Sequence, residues 1–208
     1  HDFLSLSAFD IGRHSFNDRC YVADVEAGNQ AFYEFWSVIS LGQEIYPDWE
    51  CEFTFCEGNH ENRRHKAKDT GPVAYLRLLD EFAPDYSGWD NVMPFLVPKE
   101  IGGVNFVHYA ASEFTGRAIS SAKAILANKH RSVVVGHKQT LDYAECPTIG
   151  GKRIMALIVG ACYYHEEEYK GPQNNGHFRG VAVLHNVKDG EFELEVRNLS
   201  TLAERYES

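Results

Sequence analysis

Three short β-prone runs in this chain stop at a histidine, or at a glycine with a histidine close behind it. That arrangement narrows the folds open to it. Cys51-Glu52-Phe53-Thr54-Phe55-Cys56 breaks at Gly58 and presents Asn59, His60 and Glu61. Val104-Asn105-Phe106-Val107 runs into His108, and Ser132-Val133-Val134-Val135 into Gly136-His137. A strand that ends in a turn holds the next side chains on rigid scaffolding at a sheet edge, where α/β proteins keep their chemistry. Three strand ends, each delivering one metal-competent side chain, read as one site.

Between these runs the apolar residues recur at helical spacing. Val25, Phe32, Phe35, Trp36, Ile39 and Leu41 predict a helix from Val22 to Ile45, closed by Pro47. A second helix is expected over 61–69, a third over Val73 to Phe82 and a fourth over Arg117 to Lys129. Pro84 to Pro98 reads as irregular, with Trp89 and Phe95 as aromatic surface. Further strands are expected over Arg153 to Val159, Gly180 to Val187 and Phe192 to Leu199. Lys188-Asp189-Gly190-Glu191 supplies a tight-turn signal between the last two. Strand–helix alternation followed by consecutive antiparallel strands suits an α/β protein with two packed sheets. With no repeat or linker in view, the 208 residues read as a single domain over 1–208.

Composition narrows the partners. A formal net charge of −10 disfavours a protein that coats nucleic acid electrostatically, though not an enzyme that handles it locally. No apolar run approaches the roughly 20 residues needed to span a bilayer, so no membrane partner is expected. The five cysteines show no Cys-x-x-Cys spacing, against a disulfide framework and for a cytoplasmic setting. No Gly-x-Ser-x-Gly elbow points to a serine nucleophile. Arg63-Arg64-His65-Lys66 and Lys68 follow the Gly-Asn-His turn, as a solvated helix face or as a phosphate-binding patch.

In their order and strand contexts, Gly58-Asn59-His60-Glu61, then His108, then Gly136-His137 resemble the last three motifs of the calcineurin-like metallophosphoesterases. Glu57 stands where the protein phosphatases of that family carry an arginine, so the chain looks closer to the phage and bacterial phosphoesterases. The resemblance implies a four-layer α/β/β/α sandwich lacking its first strand or strands. It also implies two divalent ions, Mn, Fe, Zn or Mg, about 3.5–4 Å apart. Asn59, His108 and His137 would be three ligands of one ion. His60 would face the scissile ester and protonate the leaving group. Asp2 maps to the last aspartate of the second motif and would pair with His60, so the chain is expected to begin inside that motif. Arg63 or Arg64 would hold a phosphate.

The implied activity is hydrolysis of phosphate mono- or diesters, on a phosphorylated substrate such as a nucleotide or nucleic acid. The family's Asp-x-His and Gly-Asp motifs have no match here, and Gln139 replaces the second histidine of Gly-His-x-His. Those departures leave an alternative: a degenerate, non-catalytic member of the fold acting as a binding or scaffold module. His165 and His177 read as surface residues that would rim the pocket at most.

Overall fold

The computed structural model describes residues 20–71, 73–164 and 177–206, so Asp2 and His165 lie outside the described residues. The chain is mixed α/β and divides into two compact units, one ending at Phe95 and the other beginning at Leu96. Among the described residues no helix is long and apolar enough to cross a membrane.

The first unit is built on α1 (Tyr21–Ile45), β1 (Thr54–Cys56), α2 (Asn59–Thr70), α3 (Val73–Glu81) and β2 (Asn91–Met93). Strand β1 pairs in parallel with β2, with Phe55 opposite Val92. Helix α1 buries Tyr21, Val25, Gly28 and Phe32. These recur every three or four residues and so share one side of the helix. Phe32 meets Phe55 edge-on with centroids 5.5 Å apart, and Phe35 stacks on Trp89 at 5.6 Å. Trp36 packs edge-on against Phe53 and Trp89. This aromatic layer demands Gly88, because a Cβ there would sit 2.3 Å from the Trp36 ring.

The second unit holds a five-stranded sheet in the order β3 (Lys99–Ile101), β4 (Val104–Val107), β5 (Ser132–Val135), β7 (Arg153–Val159), β6 (Leu141–Pro147). Strands β4, β5 and β7 run parallel, while β3 and β6 close the edges antiparallel. Helix α4 (Ala122–Lys129) precedes β5, and a hairpin of β8 (Gly180–Lys188) and β9 (Glu191–Asn198) leads into α5 (Leu199–Tyr206).

Alternation along the central strands divides their side chains between two cores. Val133, Val135, Ala156 and Ile158 pack with Ala122, Ile125 and Leu126 of α4. Val104, Val134, Met155 and Leu157 pack with Phe192, Leu184 and Leu194 of the hairpin. The unit therefore stacks a helix, a sheet and a second, two-stranded sheet. Strands buried on both faces read as continuous apolar runs, as these do.

Several elements differ from the sequence expectation. Helix α2 begins at Asn59, and α4 begins only at Ala122. The residues before α4 are not helical, and Ala118 bridges back to Ala111 across a turn. Strand β2 lies inside the stretch expected to be irregular, and β3, β6 and α5 had no counterpart. The last strand stops at Asn198, and Leu199 opens α5 instead of ending the strand.

Gly88→Ala is expected to lower unfolding free energy by about 1–3 kcal/mol through overpacking against Trp36. Gly150→Ala, where nothing lies within 4 Å of the added Cβ, serves as the control. Urea denaturation of the two variants checks the contrast.

Candidate functional site

In the second unit, in-register pairing of β4 with β5 sets Val107 opposite Val135. His108 leaves the first strand one residue later and His137 leaves the second two residues later, at the same carboxyl edge. The His108 carbonyl accepts hydrogen bonds from the amides of Gly136 (3.1 Å) and His137 (3.0 Å), which locks the two strand ends together. The side chains meet as a result: His108 Nε2 lies 3.0 Å from His137 Nδ1, with ring centroids 4.9 Å apart and planes inclined at 67°. His108 is only 3% exposed and His137 is half-buried. The Tyr109 ring lies 5.0 Å from that of His137, and burial pushes its phenol up from the ordinary value.

Two nitrogens bound at cis positions of one first-row ion, at about 2.0–2.1 Å each, lie roughly 2.8–3.4 Å apart. The observed separation falls within that interval, and it is equally a hydrogen-bond length. Neutral imidazoles suit Zn, Fe, Cu and Ni. The pair thus fits two positions of a divalent ion. Among the described residues no group of three or more His, Cys, Asp or Glu side chains is gathered to hold one.

Beyond His137 the chain turns through Lys138, whose ammonium donates to the Ser120 carbonyl at 2.8 Å. Gln139 donates through its amide to the Tyr163 hydroxyl. Arg179 lies over the Tyr163 ring at 5.9 Å and donates to the Tyr163 carbonyl at 2.9 Å. The His177 ring is 6.0 Å from that of Tyr163.

The other candidates lie in the first unit, on α2. Asn59 and His60 form its first turn, both half-buried, with Arg63 and Arg64 one turn on. The turn is fixed by Glu61, 1% exposed, whose Oε2 accepts from the Gly58 amide at 2.6 Å. A carboxylate at the N3 position caps the helix and complements the positive end of its dipole. Glu61 therefore builds the turn that presents Asn59 and His60.

Arg64 has a scaffold task. Its Nε donates to the Tyr21 hydroxyl at 3.1 Å and its Nη2 to the Leu79 carbonyl at 2.6 Å. Tyr21 in turn donates to the Phe82 carbonyl at 2.7 Å. One guanidinium so ties α2 to α1 and α3.

A buried carboxylate, Glu57, sits beside this turn with partners that the sequence reading does not assign. Glu57 contacts His65 Nε2 at 3.0 Å and accepts from the Tyr86 hydroxyl at 3.3 Å. Burial, with the Glu57 and Glu61 carboxylates close by, pushes the Tyr86 phenol far above its ordinary value. The signal was available, since an acid at the end of an apolar strand needs a partner and His65 lies eight residues on, along the helix.

Comparison with family models, with curated proteins and with solved structures finds no match to this chain.

Arg64→Met is expected to cost about 1.5–3 kcal/mol of stability, as loss of charge-assisted bonds to partly buried partners would. Chemical denaturation measures it. The Tyr86 shift carries a second expectation. A phenol whose folded pKa is raised holds its proton in the folded state after the unfolded chain has released it. Its contribution is complete below the unfolded value of about 10 and declines as pH rises beyond it, by roughly 1.4 kcal/mol per pH unit. Tyr86→Phe should flatten that alkaline limb, measured as unfolding free energy from pH 9 to 11.

Proposed function

We propose that this chain is a metal-dependent phosphoesterase of the calcineurin-like type, hydrolysing phosphate mono- or diesters on a nucleotide or nucleic-acid substrate in the cytoplasm. The observation that carries the proposal is the His108–His137 pair, two imidazole nitrogens 3.0 Å apart at the carboxyl ends of adjacent parallel strands. The ordered motifs Gly58-Asn59-His60-Glu61, His108 and Gly136-His137 support it. The proposed architecture is that family's four-layer α/β/β/α sandwich, and the stacking of α4, sheet and hairpin in the second unit is in keeping with it.

On this reading His108 and His137 hold a divalent ion, Mn, Fe, Zn or Mg, through Nε2 and Nδ1. When bound, such ions neutralise phosphoryl oxygens and make water a nucleophile at neutral pH. Asn59, as a further amide-oxygen ligand, and His60, as the proton donor to the leaving group, enter by resemblance alone. Their shared place in the first turn of α2 is suited to such work, since the turn is pinned by a buried cap. Arg63 or Arg64 would supply a guanidinium to the phosphate, and two of the donor nitrogens of Arg64 also serve the scaffold.

Calorimetric titration with Mn²⁺ or Zn²⁺, alongside turnover of bis(4-nitrophenyl) phosphate, tests the reading. His108→Asn and His137→Asn are each expected to weaken metal binding by tenfold or more, with activity falling through lost occupancy; removal of an outer partner alone costs about 10–100-fold. His60→Asn should leave metal affinity nearly unchanged and lower kcat by about 10²–10⁴ on poor leaving groups, and by less on nitrophenol esters. Metal binding at the pair without turnover favours the binding-module alternative, a role in keeping with the engagement of Gln139 by Tyr163. Metal affinity indifferent to both histidine substitutions would remove the basis of the proposal.

A further inference from the structure

The C-terminal half of α1 carries a second apolar face. Val38, Leu41 and Ile45 are spaced i, i+3, i+7 and are 68%, 56% and 59% exposed. At helical periodicity they lie on the other side of the cylinder from the buried Tyr21, Val25, Gly28 and Phe32. Trp49 extends this face. The chain turns back after the helix through a Trp49 amide to Tyr46 carbonyl bond of 2.9 Å, and a Cβ on Gly42 would meet the Trp49 ring at 3.3 Å. The indole therefore lies against α1 at Gly42, one residue on from Leu41 and three before Ile45. Scattered exposed leucines need no explanation, but a contiguous stripe ending in a tryptophan marks an interaction surface.

Charge indicates what the stripe accepts. The sequence has no lysine or arginine between Cys20 and Asn62, while Glu34, Glu44, Asp48, Glu50 and Glu52 are all exposed. Glu34 shares the face of Val38 and Ile45. Glu50 and Glu52, with Asp90, line an open cleft of about 450 Å³ directly after Trp49. An apolar stripe whose charged neighbours along the described residues 20–62 are carboxylates is complementary to a helix with an apolar seam and basic flanks. A second copy of this chain would bring like charges together, and an anionic lipid surface would be repelled.

We propose that this face docks a basic amphipathic helix of a partner protein, with the seam on Val38, Leu41, Ile45 and Trp49 and the lysines or arginines on the bordering carboxylates. The inference is independent of the phosphoesterase reading, since it uses neither the histidines nor a metal.

The test is fluorescence anisotropy with the full chain and a labelled synthetic helix bearing leucines at i, i+3, i+4 and i+7 and lysines elsewhere. A scrambled peptide of the same composition is the control. Leu41→Glu/Ile45→Glu makes the surface more acidic and less apolar, so the two explanations of binding predict opposite signs. Apolar docking predicts affinity at least about tenfold weaker, as for loss of buried anchors. Charge attraction alone predicts equal or tighter binding. Circular dichroism establishes that the double variant is folded, and Val38→Glu gives the same contrast with one substitution. Equal binding of the scrambled peptide, or unchanged or tighter binding of the variants, overturns the proposal. So does a dimer in sedimentation velocity that the double variant dissociates, which would assign the face to a second copy.

Discussion

In-register parallel pairing of β4 with β5 is the constraint on which the second unit depends. With Val107 opposite Val135, each central strand sends alternate side chains to α4 and to the β8–β9 hairpin. A slip of one residue would exchange the two sets, placing side chains sized for the helix against the hairpin and the reverse. The same register fixes the strand ends. His108 and His137 meet because the strands that carry them cannot slide, and the doubly accepting His108 carbonyl closes the last step of the ladder. Ser132 anchors the far end of β5. Its hydroxyl donates to the Gly190 carbonyl in the hairpin turn and accepts from the Met155 amide. Core packing and the geometry of the imidazole pair are thus consequences of one hydrogen-bonded register.

The first unit solves a different problem, that of keeping Glu57 and Glu61 inside. A buried carboxylate is costly unless its charge is met by donors. Glu61 has the Gly58 amide and the start of α2; Glu57 has His65 and the Tyr86 hydroxyl. Arg64 stands near, two of its donor nitrogens engaged by Tyr21 and Leu79. These contacts make the strand-to-helix junction at Gly58 a well-determined turn, and burial there, with the Glu57 and Glu61 carboxylates close by, pushes the Tyr86 phenol far above its ordinary value.

What was legible in the sequence follows burial. Strands β4, β5 and β7 are covered on both faces and appear as unbroken apolar runs. Strand β6 was not legible, because Leu141-Asp142-Tyr143-Ala144-Glu145-Cys146-Pro147 is an edge strand with mostly exposed side chains, and its acids and proline imitate a loop. Three-residue strands such as β2 and β3 carry too little pattern to register. Helix α4 starts later than its periodicity suggests because Ser121 caps it and Asp142, from a distant strand, accepts from the Ala122 amide at 2.8 Å. No local pattern reports that partner. The His108–His137 meeting was legible because both residues end strands; the duty of Arg64 was not, since a guanidinium bound to a tyrosine hydroxyl and a backbone carbonyl resembles a surface charge in sequence.

A separation of 3.0 Å between two imidazole nitrogens has two physical uses. As a hydrogen bond it needs one facing nitrogen to carry its proton and the other to be bare. As an ion site it would need both facing nitrogens bare, with each neutral imidazole keeping its one proton on the outer nitrogen. The change between the two is then a tautomer shift of one ring, while the backbone, held by the strand register, keeps its geometry. Such a pair is satisfied by its hydrogen bond with no ion present, and its 3.0 Å separation also matches two nitrogens at cis positions of one ion. β-sheet pairing and the two cores on either side of it set the two imidazoles side by side through contacts of the chain itself.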